Sequence, residues 1–326
     1  MVAHDHDAAS HPRRTFTLAD RDDDTPSPRR IGGSSDRRSD TQGTRRRATV
    51  DTGSLPEYAV LGALRVSLGG RQLDLGPPQR RAVLAVLLCG ARSVVTTTRL
   101  VECVWGDEVG DAVLASLHAH VSRLRRELGR PAIVRFAHGY ELRITPQQLD
   151  ADEFGRLVHD GRALVDRGQH HAGRDALRRA LSLWRGPPFA EFEGAWWAQA
   201  HAVRLEAERL DAIEARIDAD VAIGEVGVLG DLQALVVEHP LHEGFCGRLM
   251  LALYRSGRQS EALLVARWHR AALVEQAGLV PSPWLTGLEY RILHHDRRLR
   301  QPRHLSHTRS ARWHGRQADD KRTART

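Results

Sequence analysis

The sequence contains no asparagine and one lysine, Lys321, against 47 arginines. A single lysine near the C-terminus excludes a Gly-x-x-x-x-Gly-Lys-Ser/Thr phosphate loop, a Schiff-base lysine in a core and a kinase-type lysine. No run of about 18 apolar residues is present, so no membrane-spanning helix is expected. The N-terminus also lacks the basic-then-apolar layout of a signal peptide. We therefore expect a cytoplasmic protein that does not contact a membrane.

The chain is also poor in cysteine, and its histidines form no metal-binding pattern. Three scattered cysteines are predicted to be buried thiols in a reducing compartment rather than disulfides or metal ligands. His118 and His120 are two residues apart on a predicted helix and point to different faces, which is poor chelate geometry. Since no catalytic motif is present either, the sequence predicts no metal, no cofactor and no enzyme.

Charge is distributed unevenly around the net value of +7. Residues 57–149 hold 12 arginines and 8 acidic residues, whereas residues 150–295 hold 16 arginines and 21 acidic residues. Residues from 296 onward hold ten basic and three acidic residues. Only the first of these segments and the tail are therefore expected to attract nucleic acid.

Residues 1–54 and 296–326 are polar or basic stretches with almost no apolar periodicity, and both are predicted to be disordered tails. Between them, a domain at residues 55–148 and a helical domain at 149–295 are expected. The predicted fold class is mainly α with a small β component.

The first domain is predicted to begin with a small antiparallel sheet, because three alternating or apolar runs are separated by glycine-bearing turns. The runs are Tyr58–Gly62, Leu64–Leu68 and Arg71–Leu75. Prolines at 77 and 78 start a buried helix that ends near Gly90. A brief strand is expected at Val94–Val95, and hydroxyls at 96–98 cap a second helix, Arg99–Trp105.

Residues 111–144 predict an amphipathic helix followed by a β-hairpin. One face of the helix is an apolar stripe, and the opposite face carries small residues and arginines. The stripe is Leu114, Leu117, Val121, Leu124 and Leu128; the opposite face is Ala115, Ala119, Ser122 and Arg126, with Arg123 beside them. The hairpin strands are Ile133–Phe136 and Tyr140–Ile144. A helix beside a basic wing is the geometry of a winged-helix DNA reader, and a surface helix and hairpin of another α+β domain is the alternative.

Residues 149–295 predict an array of helices bounded by Gly and Pro. The helices are Asp152–Gly168, Gln169–Trp184, Trp196–Gly224, Val226–His239, Leu241–Gly257, Arg258–Gln276 and Pro283–His295. Gly224 lies 33 residues before Gly257, close to the tetratricopeptide repeat period. Such arrays present a concave groove that suits protein surfaces. The segment Arg185–Phe189 breaks the array and is expected to loop back over it.

The ordered motifs resemble the Streptomyces antibiotic regulatory protein (SARP) family, in which an OmpR-type winged helix precedes a helical bacterial transcriptional activation domain. The first domain contributes LGALRV, PPQRRAVLAVLL, TTRLVECVWGDE, HAHVSRLRREL and HGYELRI. The second contributes DADEFGRLV, ALRRALSLWRGPPF, EHPLHEGFCGRLMLALYRSGRQSEALLVA and GLVPSP. The resemblance covers residues 57–295. The chain departs from the family at Ala115, where Asn is common, and at Ala137-His138, where Pro or Gly is usual.

Arg123 and Arg126 are the first candidates for DNA contact, because they lie away from the apolar stripe. The other candidates are His118, Ser122 and Arg125 on the same helix, Arg135 and His138 on the wing, and Arg80 and Arg81 on the first helix. Ion pairs within the domain are the alternative for Arg80, Arg81 and Arg125.

The resemblance implies an activator that binds promoter direct repeats in double-stranded DNA and recruits RNA polymerase holoenzyme, often at secondary-metabolite genes. A homodimer is a further expectation. The alternative is an adaptor, in which the helical array binds a partner and the winged helix binds DNA without sequence preference or contacts polymerase.

Overall fold

The computed structural model describes residues 55–108, 110–225 and 227–300. They form two compact units: residues 55–160 with 178–212, and residues 161–177 with the remainder from 213. The chain is mainly helical with two small antiparallel sheets, as the sequence predicted. The units do not follow the predicted boundary after residue 148, because segments far along the chain pack with the first domain. The predicted disorder of residues 1–54 and 301–326 lies outside the described residues.

The first unit opens with the predicted antiparallel sheet, in the order β1-β2-β3. The strands are β1 Pro56–Ala59, β2 Arg65–Leu68 and β3 Arg71–Gln72, and all are shorter than the predicted runs. Tyr58 pairs with Val66, and both side chains are buried on the same face. Burial alternates along β1, where Pro56 and Tyr58 are buried and Glu57 between them is exposed.

Three helices follow the sheet, and their ends agree with local signals. They are α1 Pro78–Cys89, α2 Thr97–Trp105 and α3 Asp111–Leu128. Every residue of α1 from Ala82 to Leu88 is buried, which explains its continuous apolar sequence. The Thr96 hydroxyl accepts a hydrogen bond from the Arg99 N–H at 3.1 Å and so caps α2.

A second sheet, in the order β4-β6-β5, contains the predicted hairpin. Its strands are β4 Val94–Thr96, β5 Ile133–Phe136 and β6 Gly139–Leu142. Gly139 pairs with Thr96, and a Cβ at this position would collide with the Val95 carbonyl oxygen. Glycine therefore allows the wing to approach β4 closely.

The first unit also includes the beginning of the predicted helical domain. The Asp150 carboxylate accepts hydrogen bonds from the Val60 and Leu61 N–H groups at 2.8 and 3.1 Å. Residues 185–190 lie against the same backbone, since the Arg185 N–H donates to Leu61 O and the Phe189 N–H to Val60 O. The expectation that this segment loops back over the array is wrong: it extends the N-terminal domain instead, because its backbone donors find their acceptors there.

Helices make up most of the remaining described residues up to residue 300, and each predicted helix is present. They are α4 Asp150–Asp166, α5 His170–Ser182, α6 Trp196–Ile223, α7 Val228–Glu238, α8 Glu243–Arg255, α9 Gln259–Ala277 and α10 Pro283–Leu293. In the second unit α8 is the central helix and packs against α7, α9 and α10. Gly224 and Gly257 end α6 and α8 with positive φ angles of 73° and 77°, which explains glycine at both places.

The second unit continues beyond the predicted end of the array at residue 295. A short 3-10 helix spans Arg297–Arg300, and Leu299 within it is only 4% exposed. The Arg255 Nε donates to the Leu299 carbonyl oxygen at 2.9 Å. The predicted tail therefore begins too early, because a single leucine in a basic run carries no periodic signal. Within the described part of the chain, no helix combines the length and apolar character of a membrane span.

Candidate DNA-binding surface

The outer face of α3 is exposed and consists of small residues followed by arginines. Leu117, Val121, Leu124 and Leu128 are buried on the inner face, as their spacing predicted. The exposed residues are Ala115, His118, Ala119, Ser122, Arg123 and Arg126. Because the side chains at 115 and 119 are single methyl groups, the backbone of the first turns can approach another surface closely.

The predicted stripe is wrong at its first member. Leu114 is 37% exposed, although it falls on the same side as the buried leucines. It lies in the first turn of α3, and the burial of the stripe starts one turn later at Leu117. Helical periodicity gives the direction of a side chain but not how far the neighbouring elements extend.

Arg123 and Arg126 are the arginines of α3 that make no polar contact with another described residue. Both are exposed, and among the described residues neither guanidinium forms a hydrogen bond or ion pair. Their five N–H donors each are therefore available to a phosphate oxygen or to the O6 and N7 acceptors of guanine. Ser122 and His118 are exposed on the same face.

Arg125 differs from these two arginines because it links the helix to the wing. Its Nε donates to the Ile133 carbonyl oxygen at 2.9 Å, and its guanidinium carbon lies 5.8 Å from the centroid of the Tyr140 ring. Tyr140 is 3% exposed, which agrees with its interpretation as a core residue. The alternative of a contact within the domain therefore describes Arg125, as a hydrogen bond and a cation–π contact rather than a salt bridge.

The wing presents Arg135 and His138 to solvent. The register of the hairpin places Arg135 opposite Tyr140 on β6. The His138 carbonyl oxygen accepts a hydrogen bond from the Thr97 N–H at 2.9 Å, which joins the tip of the hairpin to the start of α2. The His118 ring lies edge-on to Tyr140 at 6.4 Å, so the outer face of α3 and the wing are adjacent.

Arg80 and Arg81 are held in ion pairs within the first unit. Arg80 Nη1 lies 3.4 Å from Glu127 Oε1, and its side chain is only 15% exposed. Arg81 donates from Nε and Nη2 to the Glu191 carboxylate at 2.9 and 2.6 Å and also to the Leu64 carbonyl oxygen at 2.7 Å. Ion pairing within the unit, the alternative interpretation, therefore describes both residues in this structure, and their contact with phosphate stays a prediction.

Sequence reasoning missed residues far along the chain that contact the winged-helix domain and stabilise it. Glu191 lies 110 residues after Arg81, and the Trp197 indole N–H donates to the Cys103 carbonyl oxygen at 2.9 Å, 94 residues earlier. Arg99 stacks on the Trp196 ring at 4.0 Å. No local pattern signals partners at such separations.

Replacing Glu191 with glutamine is expected to lower the free energy of unfolding by about 1–3 kcal/mol. The substitution keeps the volume but removes the charge from a two-point ion pair whose partners are each about one quarter exposed. Chemical denaturation of the full chain would measure the change. Glu193→Gln is the matched control, since Glu193 is exposed; equal stability of the two variants would contradict the role of the Arg81–Glu191 pair.

His118 and His120 lie on different faces of α3, as their spacing predicted. His118 is exposed, whereas His120 stacks on Trp105 with 6.0 Å between ring centroids. Between residues 55 and 300, apart from positions 109 and 226, no three His, Cys, Asp or Glu side chains come together to hold a metal ion.

Two family models match the chain in the order of its domains. The model described as "Transcriptional regulatory protein, C terminal" matches residues 70–140, which include α1, α3 and most of the wing. The model described as "Bacterial transcriptional activator domain" matches residues 149–293.

The chain is similar to some proteins that it covers almost completely and to others that it covers only in part. Regulatory protein AfsR of Streptomyces griseus is 36% identical over 255 residues, which cover 77% of this chain and 26% of AfsR. This chain therefore spans about a quarter of the AfsR proteins that it matches. Regulatory protein DnrI of Streptomyces peucetius is 31% identical over 249 residues, which cover 73% of this chain and 92% of DnrI.

A solved structure shares the fold. Mycobacterium tuberculosis EmbR, in complex with a low affinity phosphopeptide, is 30% identical and superimposes with a TM-score of 0.71, covering 74% of this chain and 66% of EmbR. With the two family models in series and nearly the whole of DnrI matched, the chain belongs to the Streptomyces antibiotic regulatory protein family of transcriptional regulators.

Proposed function

We propose that this protein is a cytoplasmic transcriptional activator that binds specific promoter sequences through its winged helix and catalyses no reaction. The observation that carries the proposal is the outer face of α3, where small residues lead to the two unengaged arginines Arg123 and Arg126. A major groove about 12 Å wide admits an α-helix, and arginine is the commonest reader of guanine there. An unpaired arginine also costs little to transfer from solvent to a polyanion, since no protein partner must first be displaced.

The residues of the proposed DNA surface contact different parts of the duplex. Arg123, Arg126, Ser122 and His118 face the major groove, and Arg135 and His138 on the wing reach the backbone or the adjacent minor groove. Arg125 positions the wing through its bond to Ile133 and therefore acts on DNA indirectly.

The second unit is proposed to contact RNA polymerase holoenzyme, and two copies of the protein are proposed to bind direct repeats. Support comes from the activator-domain match and from an open apolar groove of about 370 Å³ between α7, α8 and α9. Val237, Leu264 and Trp268 line this groove and are exposed. Exposed apolar residues that lie together are a common mark of a protein-binding surface.

Genome-wide footprinting followed by gel shifts at several salt concentrations would test the proposal. Two copies that each neutralise about 4–6 phosphates should give a slope of log affinity against log salt of roughly −7 to −11. Footprints should show direct repeats upstream of the regulated genes.

The adaptor alternative predicts a different outcome of the same experiment. Weak binding to all duplexes, no footprint and tight retention of a protein partner by the second unit would favour the adaptor and contradict a sequence-specific activator. The open apolar groove supports this alternative, because such a surface suits a protein partner.

A further inference from the structure

The first unit contains a cavity of about 380 Å³ that is separate from the outer face of α3. It lies between the C-terminal end of α1, the beginning of α4 and the first half of α6. Its apolar wall includes Leu88, Leu149, Phe189 and Leu205, which are all buried or nearly so. The volume falls in the range of about 300–1,000 Å³ that small-molecule sites occupy.

Two ion pairs line the cavity and leave donors unused. Arg92 Nη1 lies 2.6 Å from Asp152 Oδ2, and Arg204 Nη1 lies 2.6 Å from Glu208 Oε1. Each guanidinium binds its acidic partner through one nitrogen, so most of its N–H donors have no acceptor among the described residues. These donors can bind an oxygen of a ligand without breaking either ion pair.

His201 adds a polar group whose hydrogen-bonding capacity is unused. Its ring is half-buried, and neither ring nitrogen forms a hydrogen bond with another described residue. Burial, and then the charge of Arg204, lowers the pKa of His201, so the ring is neutral at pH 7 and offers one donor and one acceptor.

The charged side chains that line the cavity are two arginines, Arg92 and Arg204, and their two acidic partners, Asp152 and Glu208. The Cys89 thiol lines the same cavity. Burial raises the pKa of Cys89 to about 12, so the thiol stays protonated and is a poor nucleophile. The cavity is therefore suited to a ligand held noncovalently, and its unused guanidinium N–H groups call for an oxygen acceptor on that ligand.

Backbone strain is concentrated at the same place. Three non-glycine residues of the described chain have positive φ angles, and two of them, Arg92 at 65° and Phe189 at 54°, line this cavity. Left-handed backbone at non-glycine residues costs energy and is found most often at ligand-binding and active sites. Here it directs the Arg92 guanidinium and the Phe189 ring to the walls.

We propose that this cavity binds a small organic monocarboxylate. The apolar body of the ligand packs against Phe189 and Leu205, and the carboxylate accepts hydrogen bonds from the free N–H groups of Arg204 and Arg92. His201 supplies a further donor. The Arg92 and Arg204 side chains are 43% and 58% exposed, so the cavity opens to solvent on that side. Its wall includes α1, which also packs against α3 of the DNA-binding unit.

Calorimetric titration of the full chain without DNA would test the site, with 1-naphthoate as the probe and 1-naphthylmethanol as its uncharged counterpart. We expect saturable binding of one naphthoate per chain, at least tenfold tighter than the alcohol. Arg204→Gln should remove most of that tenfold preference, because the alcohol does not use the positive charge.

Gly155 offers a way to block the cavity without damage to the fold. It lines the cavity in the second turn of α4, and a Cβ added there meets nothing within 4 Å. Gly155→Leu should therefore fold normally and weaken naphthoate at least tenfold. Gly230→Leu is the matched control, because Gly230 is also helical and has the same open surroundings on α7.

Absence of saturable binding, equal affinity for the acid and the alcohol, or undiminished binding by Gly155→Leu would each overturn the proposal. Thermal unfolding of every variant would separate lost binding from lost structure, and Arg204→Gln provides a second variant should Gly155→Leu unfold. Since no DNA is present, these failures would leave the proposed DNA-binding function untouched.

Discussion

Replacing Arg123 and Arg126 together with alanine is expected to weaken binding to a promoter site by about 2–6 kcal/mol, at least ~30-fold. Each arginine contributes about 1–3 kcal/mol when its guanidinium binds a base edge or phosphate in a groove. Neither side chain contacts another described residue through a hydrogen bond or ion pair, so its loss leaves no partner unsatisfied. The free energy of unfolding should therefore change by less than about 0.5 kcal/mol per site.

Gel shifts and chemical denaturation would measure the two quantities on the same preparations. The slope of log affinity against log salt should also become shallower, by about 2 for each bound copy in which both arginines contact phosphate. A slope that stays the same while affinity falls would instead assign both residues to base edges.

Arg65→Ala with Arg71→Ala is the matched control. Both residues are exposed on the N-terminal sheet, and the double substitution removes the same two charges from the same unit. If this control weakens binding as much as the α3 variant does, the effect of the arginines is general electrostatics, and the assignment of α3 as the recognition helix is lost.

Replacing Arg248 with methionine is expected to lower the free energy of unfolding by about 3–5 kcal/mol, a large part of the stability of an ordinary domain. Arg248 is 5% exposed in α8. Its Nε and Nη2 bind both oxygens of Asp218 at 2.8 and 2.7 Å, and its Nη1 binds Glu214 Oε1 at 3.0 Å and the Gly244 carbonyl oxygen at 3.1 Å.

The expected loss is large because one cation compensates two carboxylates. Methionine fills most of the volume but takes the guanidinium away from both carboxylates in a largely buried place, where charged groups that lose a counterion are costly, although the His242 Nδ1 stays 3.6 Å from Glu214 Oε1. Neutralising both acids in the same chain, by Glu214→Gln and Asp218→Asn, should recover part of the stability.

Denaturant unfolding of the Arg248→Met variant, the triple variant and Arg258→Met would test this prediction. Arg258 pairs with Glu261 on the surface, so its replacement should have little effect. An Arg248→Met protein as stable as the Arg258→Met control would show that the cluster does not hold the second unit together.

The elements that sequence reasoning predicted well are those whose signals are local. Leu117, Val121 and Leu124 repeat at helical spacing and are buried as that spacing requires. Thr96 caps α2 because a hydroxyl before a helix accepts the first free N–H. The outer face of α3 follows from the same periodicity, since it is the side of the helix opposite the buried stripe.

The features that sequence reasoning predicted poorly depend on partners far along the chain. Arg81 and Arg123 are both arginines on predicted helices of the first domain, yet Arg81 is bound by Glu191 and Arg123 is not. The burial of Leu114 and Leu299 also depends on distant packing. Leu114 is more exposed than its place in the apolar stripe indicates, and Leu299 is more buried than its place in a basic run indicates.

The sequence by itself determined the helices, the strands, the family and the exposed face of α3, because periodicity and capping act over a few residues. Only the tertiary structure decided which arginines remain free, where residues 185–190 pack, and that α1, α4 and α6 enclose a cavity with two strained residues at its walls. These features arise from groups about 30 to 120 residues apart in the chain, and a one-dimensional pattern carries no information on such pairings.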